Sequence, residues 1–112
     1  MEFDFFLQFV FTILVMIKAK AKIKLYESEI GRTTPFTDGY RPLFNFVNDM
    51  KKSGQITLIN KSEFKPGEED SVEISFIDNQ YLGKDFGNGK KFTFSEGRHA
   101  LGEGEIIEVY NI

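Results

Sequence analysis

The feature that most constrains the fold is a stretch of strictly alternating residues between Ile17 and Tyr26. Apolar side chains occupy every second position as far as Leu25, and four lysines occupy the positions between them. Because successive side chains of a β-strand point to opposite faces of its sheet, this pattern predicts a strand buried on one face and solvated on the other. The lysine face has two interpretations: a soluble surface that discourages edge-to-edge aggregation, or a stripe that contacts successive phosphates.

The same period of two recurs along the chain and predicts a β protein. The 112 residues include 13 phenylalanines and 10 glycines, a composition that favours a compact β fold with one hydrophobic core. A polar turn is predicted at residues 48–52. Strands are predicted near residues 17–26, 42–47, 55–59, 71–78, 90–96 and 104–110. The side chains expected to face inward include Ile23, Leu25, Phe44, Phe46, Ile56, Leu58, Val72, Ile74, Phe76, Phe92 and Phe94.

Turn-forming residues are concentrated in residues 31–46. Two prolines in this segment fix φ and remove amide donors, and residues 37–39 have the composition of a tight turn. After the second proline the pattern changes to the alternation of a strand. Arg32 and Arg41 flank the turn and carry the two guanidinium groups of the segment. Such a stretch by itself predicts an ordered loop between two strands.

The amino-acid sequence of this segment resembles that of a known family. Gly-Arg-x-Thr-Pro-Phe followed by Gly-Tyr-Arg-Pro-x-Phe-x-Phe is similar to the start of the C-terminal β-barrel, the third domain, of bacterial elongation factor Tu. Residues 95–104 also resemble that family's Arg-Glu-Gly-Gly-Arg-Thr-Val-Gly-Ala-Gly, and the identical positions are Glu96, Gly97, Gly102 and Gly104. The resemblance implies a six-stranded antiparallel Greek-key barrel over residues 17–112.

In that family the barrel is a non-catalytic docking module that touches the T-stem of aminoacyl-tRNA and the nucleotide-exchange factor. The resemblance therefore implies a cytoplasmic partner in the translation machinery, either tRNA or a translation factor. It carries an RNA-binding role to Ser53, Glu96 and Gly97. Two departures oppose that role, because Leu43 replaces a glutamine and Asp78 lies near a basic position of the family. The alternative is a self-associating or protein-binding module that has lost the tRNA role.

A second candidate surface comprises Arg32, Phe36, Tyr40 and Arg41. If Phe36 is exposed beside Tyr40 and Arg41, the three side chains form an aromatic-plus-arginine cluster of the kind enriched at binding hot spots. In the other interpretation Phe36 caps the barrel, and the two arginines brace the loop. The sequence leaves both interpretations open.

The chain has few residues that could form a catalytic or metal-binding site. There is no cysteine and only one histidine, so thiolate and paired-histidine metal sites are excluded. The GTP-binding domain of elongation factors is absent, including its phosphate loop, so we expect no nucleotide, no cofactor and no enzyme activity. The formal net charge of -3 argues against nucleic-acid binding driven by bulk charge.

Residues 1–16 form an apolar N-terminal extension that we expect to lie outside the barrel. The apolar run is shorter than the about 20 residues of a membrane-spanning helix, so a membrane partner is not expected. Three interpretations stay open for it. They are a short membrane-associating anchor, a packed N-terminal helix or strand, and a non-native addition that precedes a true start at Met16.

Overall fold

The computed structural model describes residues 16–27 and 32–111, and this part of the chain is all-β without a helix. The predictions for residues 1–15 and for Gly31 lie outside it. In chain order the strands are β1 (Ile17–Leu25), β2 (Phe36–Thr37), β3 (Leu43–Val47), β4 (Met50–Ser53), β5 (Gln55–Leu58), β6 (Glu63–Phe64), β7 (Glu69–Phe76), β8 (Lys91–Glu96) and β9 (His99–Asn111).

Seven of these strands form one curled antiparallel sheet in the order β4-β3-β8-β9-β1-β7-β5. The strands at its two ends, β4 and β5, are separated in the chain by Gly54 alone. Residues 50–58 therefore act as one bent strand, which pairs with β3 before Gly54 and with β7 after it. Counted in this way, six strands surround the core, and β8 returns beside β3 in a Greek-key connection. The predicted fold class is confirmed.

The bend requires glycine at position 54, because two core rings occupy the space that a side chain would need. A Cβ atom at this position would lie 2.5 Å from Cε1 of Phe76 and 2.9 Å from Cε2 of Phe44. Glycine is the residue expected where a strand turns a barrel corner and another group approaches the backbone closely. The remaining strands, β2 and β6, form a separate two-stranded ribbon.

The core follows the predicted alternation closely. Every residue of the predicted inward set is buried except Leu58, which is partly buried. Each buried phenylalanine removes a large apolar surface from water, so these rings dominate the stability of the barrel. The predicted apolar face of β1 is buried as well, at Ile17, Ala19 and Ala21. Buried apolar residues that the prediction did not name are Phe36, Phe64, Leu82, Leu101 and Ile106.

The structure corrects two boundaries. The predicted polar turn at 48–52 is limited to residues 48 and 49, because Met50–Ser53 pairs with β3 as β4. The lysines of β4 made this segment resemble an exposed turn. Lys52 nevertheless points inward and is 9% exposed, since its ammonium group pairs with the carboxylate of Asp78. The last strand begins at His99 rather than near residue 104, because Gly102 and Gly104 lie within the ladder opposite Phe94 and Phe92.

Candidate functional site

The three arginines of the chain and its only histidine either contact Glu96, follow a residue that contacts it, or lie in the turn that it begins. Arg32 donates to Glu96, and Arg41 follows Tyr40, whose hydroxyl donates to the same carboxylate oxygen. Arg98 and His99 belong to the turn that Glu96 begins. We call this group the arginine end, and its members are Arg32, Tyr40, Arg41, Glu96, Gly97, Arg98 and His99.

The turn from Glu96 to His99 joins β8 to β9 and is exposed at all four residues. Gly97 has φ +60, a left-handed conformation that strains most other residues, so the turn itself requires glycine. Apart from Gly97 and its two chain neighbours, no atom of the described residues lies within 4 Å of the position that a Cβ of Gly97 would occupy. The backbone and side chains of this turn are therefore accessible to a ligand.

Ser53, the third residue assigned to RNA by the resemblance, reaches the same edge of the sheet. It is exposed and lies at the end of β4, opposite Leu43, which in turn pairs with Ser95 on the other side. Two strand spacings, about 10 Å in total, therefore separate Ser53 from Ser95, the residue before Glu96. The structure thus brings Ser53, Glu96 and Gly97 to one edge, which the sequence spacing alone does not reveal.

Asp78 is less unfavourable to an anion than its sequence position indicates. Its carboxylate pairs with the ammonium group of Lys52, and this hydrogen bond holds the pKa of Asp78 below its usual value. The negative charge is therefore balanced by a lysine of β4. Leu43, by contrast, remains a half-buried apolar residue that offers no hydrogen bond.

Phe36 is the centre of a stack rather than an exposed ring. It is 2% exposed, and its ring centroid lies 4.5 Å from that of Tyr40 and 5.2 Å from that of Phe64. Arg32 lies over Tyr40 at 4.9 Å, and Lys61 lies over Phe64 at 4.8 Å. We call this five-layer arrangement, a cation at each end of three aromatic rings, the aromatic column. It holds the β2–β6 ribbon, and it leaves the ring of Phe36 unavailable to a partner.

Arg32 is fully engaged in holding its own loop. Its Nε donates to the carbonyl oxygen of Thr34 at 2.8 Å, and one terminal nitrogen reaches that of Pro35 at 3.4 Å. The other terminal nitrogen is 2.6 Å from Oε1 of Glu96. Burial and the hydrogen bond to Glu96 raise the pKa of Tyr40 above its ordinary value. These are the contacts expected of a loop brace, the second interpretation of the segment.

Arg41 and Arg98 differ from Arg32 because both are exposed. Arg41 donates to the amide oxygen of Gln55, at 3.0 Å. No acidic side chain among residues 16–27 and 32–111 forms a salt bridge with Arg41 or Arg98. Docking of a partner on this surface stays a prediction, with these two arginines as its most available groups.

The lysine face of β1 offers a poorer site for phosphates. Lys20 and Lys24 each lie between glutamates of β9 and β7, and Lys22 pairs with Glu69 at 2.9 Å. Carboxylates on both sides of the lysine row would repel a phosphate backbone. The interpretation as a soluble outer face therefore fits these neighbours better.

No model of a known protein family matches the sequence. Within the described ranges, 16–27 and 32–111, no group of three His, Asp or Glu side chains is arranged to hold a metal ion. The same residues contain no helix of the length and hydropathy needed to cross a membrane. The arginine end offers guanidinium groups, one carboxylate and exposed turn amides, which suit recognition of an anionic, hydroxyl-bearing partner.

The brace leads to a prediction about stability. Replacing Arg32 with alanine removes an ion pair, two loop hydrogen bonds and a cation–π contact, and should cost about 1 kcal/mol because the site is partly solvated. A domain of this size would then lose roughly 4 °C or more from its thermal midpoint. The matched control, Arg41→Ala, should leave the midpoint nearly unchanged. Equal losses in the two variants would contradict the assignment of the brace to Arg32.

Proposed function

We propose that this chain is a non-catalytic module that docks on structured RNA of the translation machinery through its arginine end. The observation that carries the proposal is that Arg32 and Tyr40 both donate to Glu96, which begins an exposed turn containing Gly97 and Arg98. Glu96 and Gly97 are also the two positions to which the resemblance to the third domain of elongation factor Tu assigns a T-stem contact. Such a module would act in the cytoplasm beside tRNA.

The available groups fit the chemistry of an A-form helix. Its wide minor groove presents phosphates and 2′-hydroxyls, which proteins read by shape and backbone contacts. The planar guanidinium groups of Arg41 and Arg98 suit phosphate oxygens. Both Arg32 and Tyr40 use Oε1 of Glu96, and Oε2 has no hydrogen-bond partner among the described residues, so it remains able to accept from a ribose hydroxyl. The Ser53 hydroxyl adds a donor and acceptor at the same edge.

The proposal is tested by titrating a fluorescent A-form RNA hairpin into the full chain over a range of salt concentrations. The substitutions Arg41→Ala and Arg98→Ala together should weaken binding about tenfold or more. The slope of log K against log salt should fall by about 2, since each lost phosphate contact contributes roughly one unit. The control carries Lys20→Ala and Lys22→Ala on the lysine face and should bind as the wild type does.

Three outcomes would contradict this function. Equal weakening in the two variants would mean that bulk charge, not the arginine end, drives binding. Equal affinity for a B-form DNA duplex would contradict recognition of A-form geometry. A wild-type chain that does not bind the hairpin would exclude the RNA role and favour a translation factor or another protein as the partner.

A further inference from the structure

The outward side chains of β1 and β9 form two parallel rows of opposite charge. The ladder between the two strands places three of the four β1 lysines directly beside a glutamate of β9, and Lys18 beside Asn111. The register pairs are Lys20 with Glu108, Lys22 with Glu105, and Lys24 with Glu103. Five of these six side chains are exposed, and Lys20 is half-buried. We call this surface the charged face.

The charged face has an open groove of about 360 Å³ at the boundary between the two strands. Lys22, Lys24, Glu103 and Glu105 lie along it, and Ile107 contributes an apolar side chain. Ile107 is 41% exposed, which is high for a large apolar residue. The groove thus combines an apolar contact with a surrounding ring of charges, the arrangement typical of protein interfaces.

We propose that the charged face binds a second copy of this chain. A two-fold axis that runs along the boundary between β1 and β9 would carry β1 of one copy over β9 of the other, at the same height along the strands. Lys20, Lys22 and Lys24 of each copy would then face, on the other copy, the glutamate that is their neighbour in the ladder. The interface is isologous, as expected for a two-fold dimer, and it brings the two Ile107 grooves together.

The charge pattern favours a second copy over other occupants. A polyanion placed on the face would meet the glutamate row, and a polycation would meet the lysine row. Two strands cover less area than a standard stable interface, so the dimer is weak and sensitive to salt. Arg41 and Arg98 lie outside the charged face, and dimerisation therefore leaves the arginine end open.

The test is sedimentation equilibrium of the full chain, first of the wild type and then of two charge-reversed variants. One variant has Lys20→Glu, Lys22→Glu and Lys24→Glu, and the other has Glu103→Lys, Glu105→Lys and Glu108→Lys. Each variant alone should be monomeric, because like charges face each other. An equimolar mixture should form a heterodimer. The wild-type dissociation constant should rise about tenfold or more as ionic strength increases from about 0.01 M to about 0.15 M.

A matched control separates the register of the rows from bulk attraction between oppositely charged proteins. It carries Lys51→Glu, Lys65→Glu and Lys84→Glu, which produce the same net charge but lie outside the charged face. Mixed with the glutamate-to-lysine variant, it should not form the heterodimer. Ile107→Asp is a single substitution at a position that is 41% exposed, and it should abolish the wild-type dimer without unfolding the chain. A monomeric wild type at low salt, or equal association of the control mixture, would overturn the proposal.

Discussion

Replacing Gly102 with alanine is expected to cost about 3 kcal/mol of the free energy of unfolding, the upper end of the range for overpacking. The added methyl group would lie less than 3.0 Å from the backbone oxygen of Lys24 and from the ring of Phe94. The ring is 0% exposed, so it has no open space into which to move. The backbone oxygen belongs to β1, whose pairing with β9 would have to shift. Urea denaturation followed by circular dichroism measures the loss.

Gly87 provides the matched control for this prediction. Apart from Gly87 and its two chain neighbours, no atom in the described part of the chain lies within 4 Å of a Cβ placed at Gly87, and its φ is not in the left-handed region. Gly87→Ala should therefore change stability by no more than about 0.5 kcal/mol. Combining Gly102→Ala with Phe94→Leu should recover only part of the loss, because the oxygen of Lys24 still obstructs the methyl group. Wild-type stability of Gly102→Ala alone would show that the β9 backbone does not approach β1 as closely as described.

Gly102 and Gly104, both in β9, also show why sequence patterns identified some strands and not others. In β1 an apolar residue occurs at every second position, and β7 and β8 show the same alternation over residues 72–76 and 92–94, so the sequence alone predicts burial on one face. At the start of β9 the inward positions are Gly102 and Gly104, which have no side chain to register in such a pattern. The rings of Phe94 and Phe92 from β8 fill that space. The side chains buried at this point come from β8. The residue pattern of β9 alone therefore does not indicate that the start of β9 faces the core.

The candidate site likewise has features that the sequence predicted and features that only the fold shows. Its guanidinium groups and turn glycines could be recognised from residue type and from the identity of neighbouring residues. Whether a given arginine is free or engaged depends on residues that are distant in sequence: Glu96 lies 64 positions from Arg32, and Tyr40 lies 56 positions from Glu96. The aromatic column similarly joins Phe36 to Phe64 through the β2–β6 ribbon, which has only two residues in each strand. Strands this short show no periodicity, so only the fold reveals the brace.

Truncating Phe44 to alanine should have the largest effect of any substitution considered, about 3–5 kcal/mol, because it removes a fully buried ring from the centre of the core. Phe44 is 0% exposed, and its centroid lies 5.3 Å from that of Phe76 and 5.7 Å from that of Phe92. The ring also contacts the space beside Gly54, where the strand bends to join the two ends of the sheet. A cavity here removes contacts on both sides of that bend, so the surrounding residues have little freedom to close it.

The measurement is urea denaturation of Phe44→Ala beside Ile77→Ala, which truncates an apolar side chain that is 68% exposed. The midpoint should fall strongly for Phe44→Ala with an unchanged m-value, since the unfolded surface is nearly the same. Ile77→Ala should remain within about 0.5 kcal/mol of the wild type. Phe44→Leu, which keeps part of the volume, should lie between the two. A loss below about 1 kcal/mol for Phe44→Ala would contradict its central position, because a cavity that closes so easily cannot be enclosed by a packed barrel.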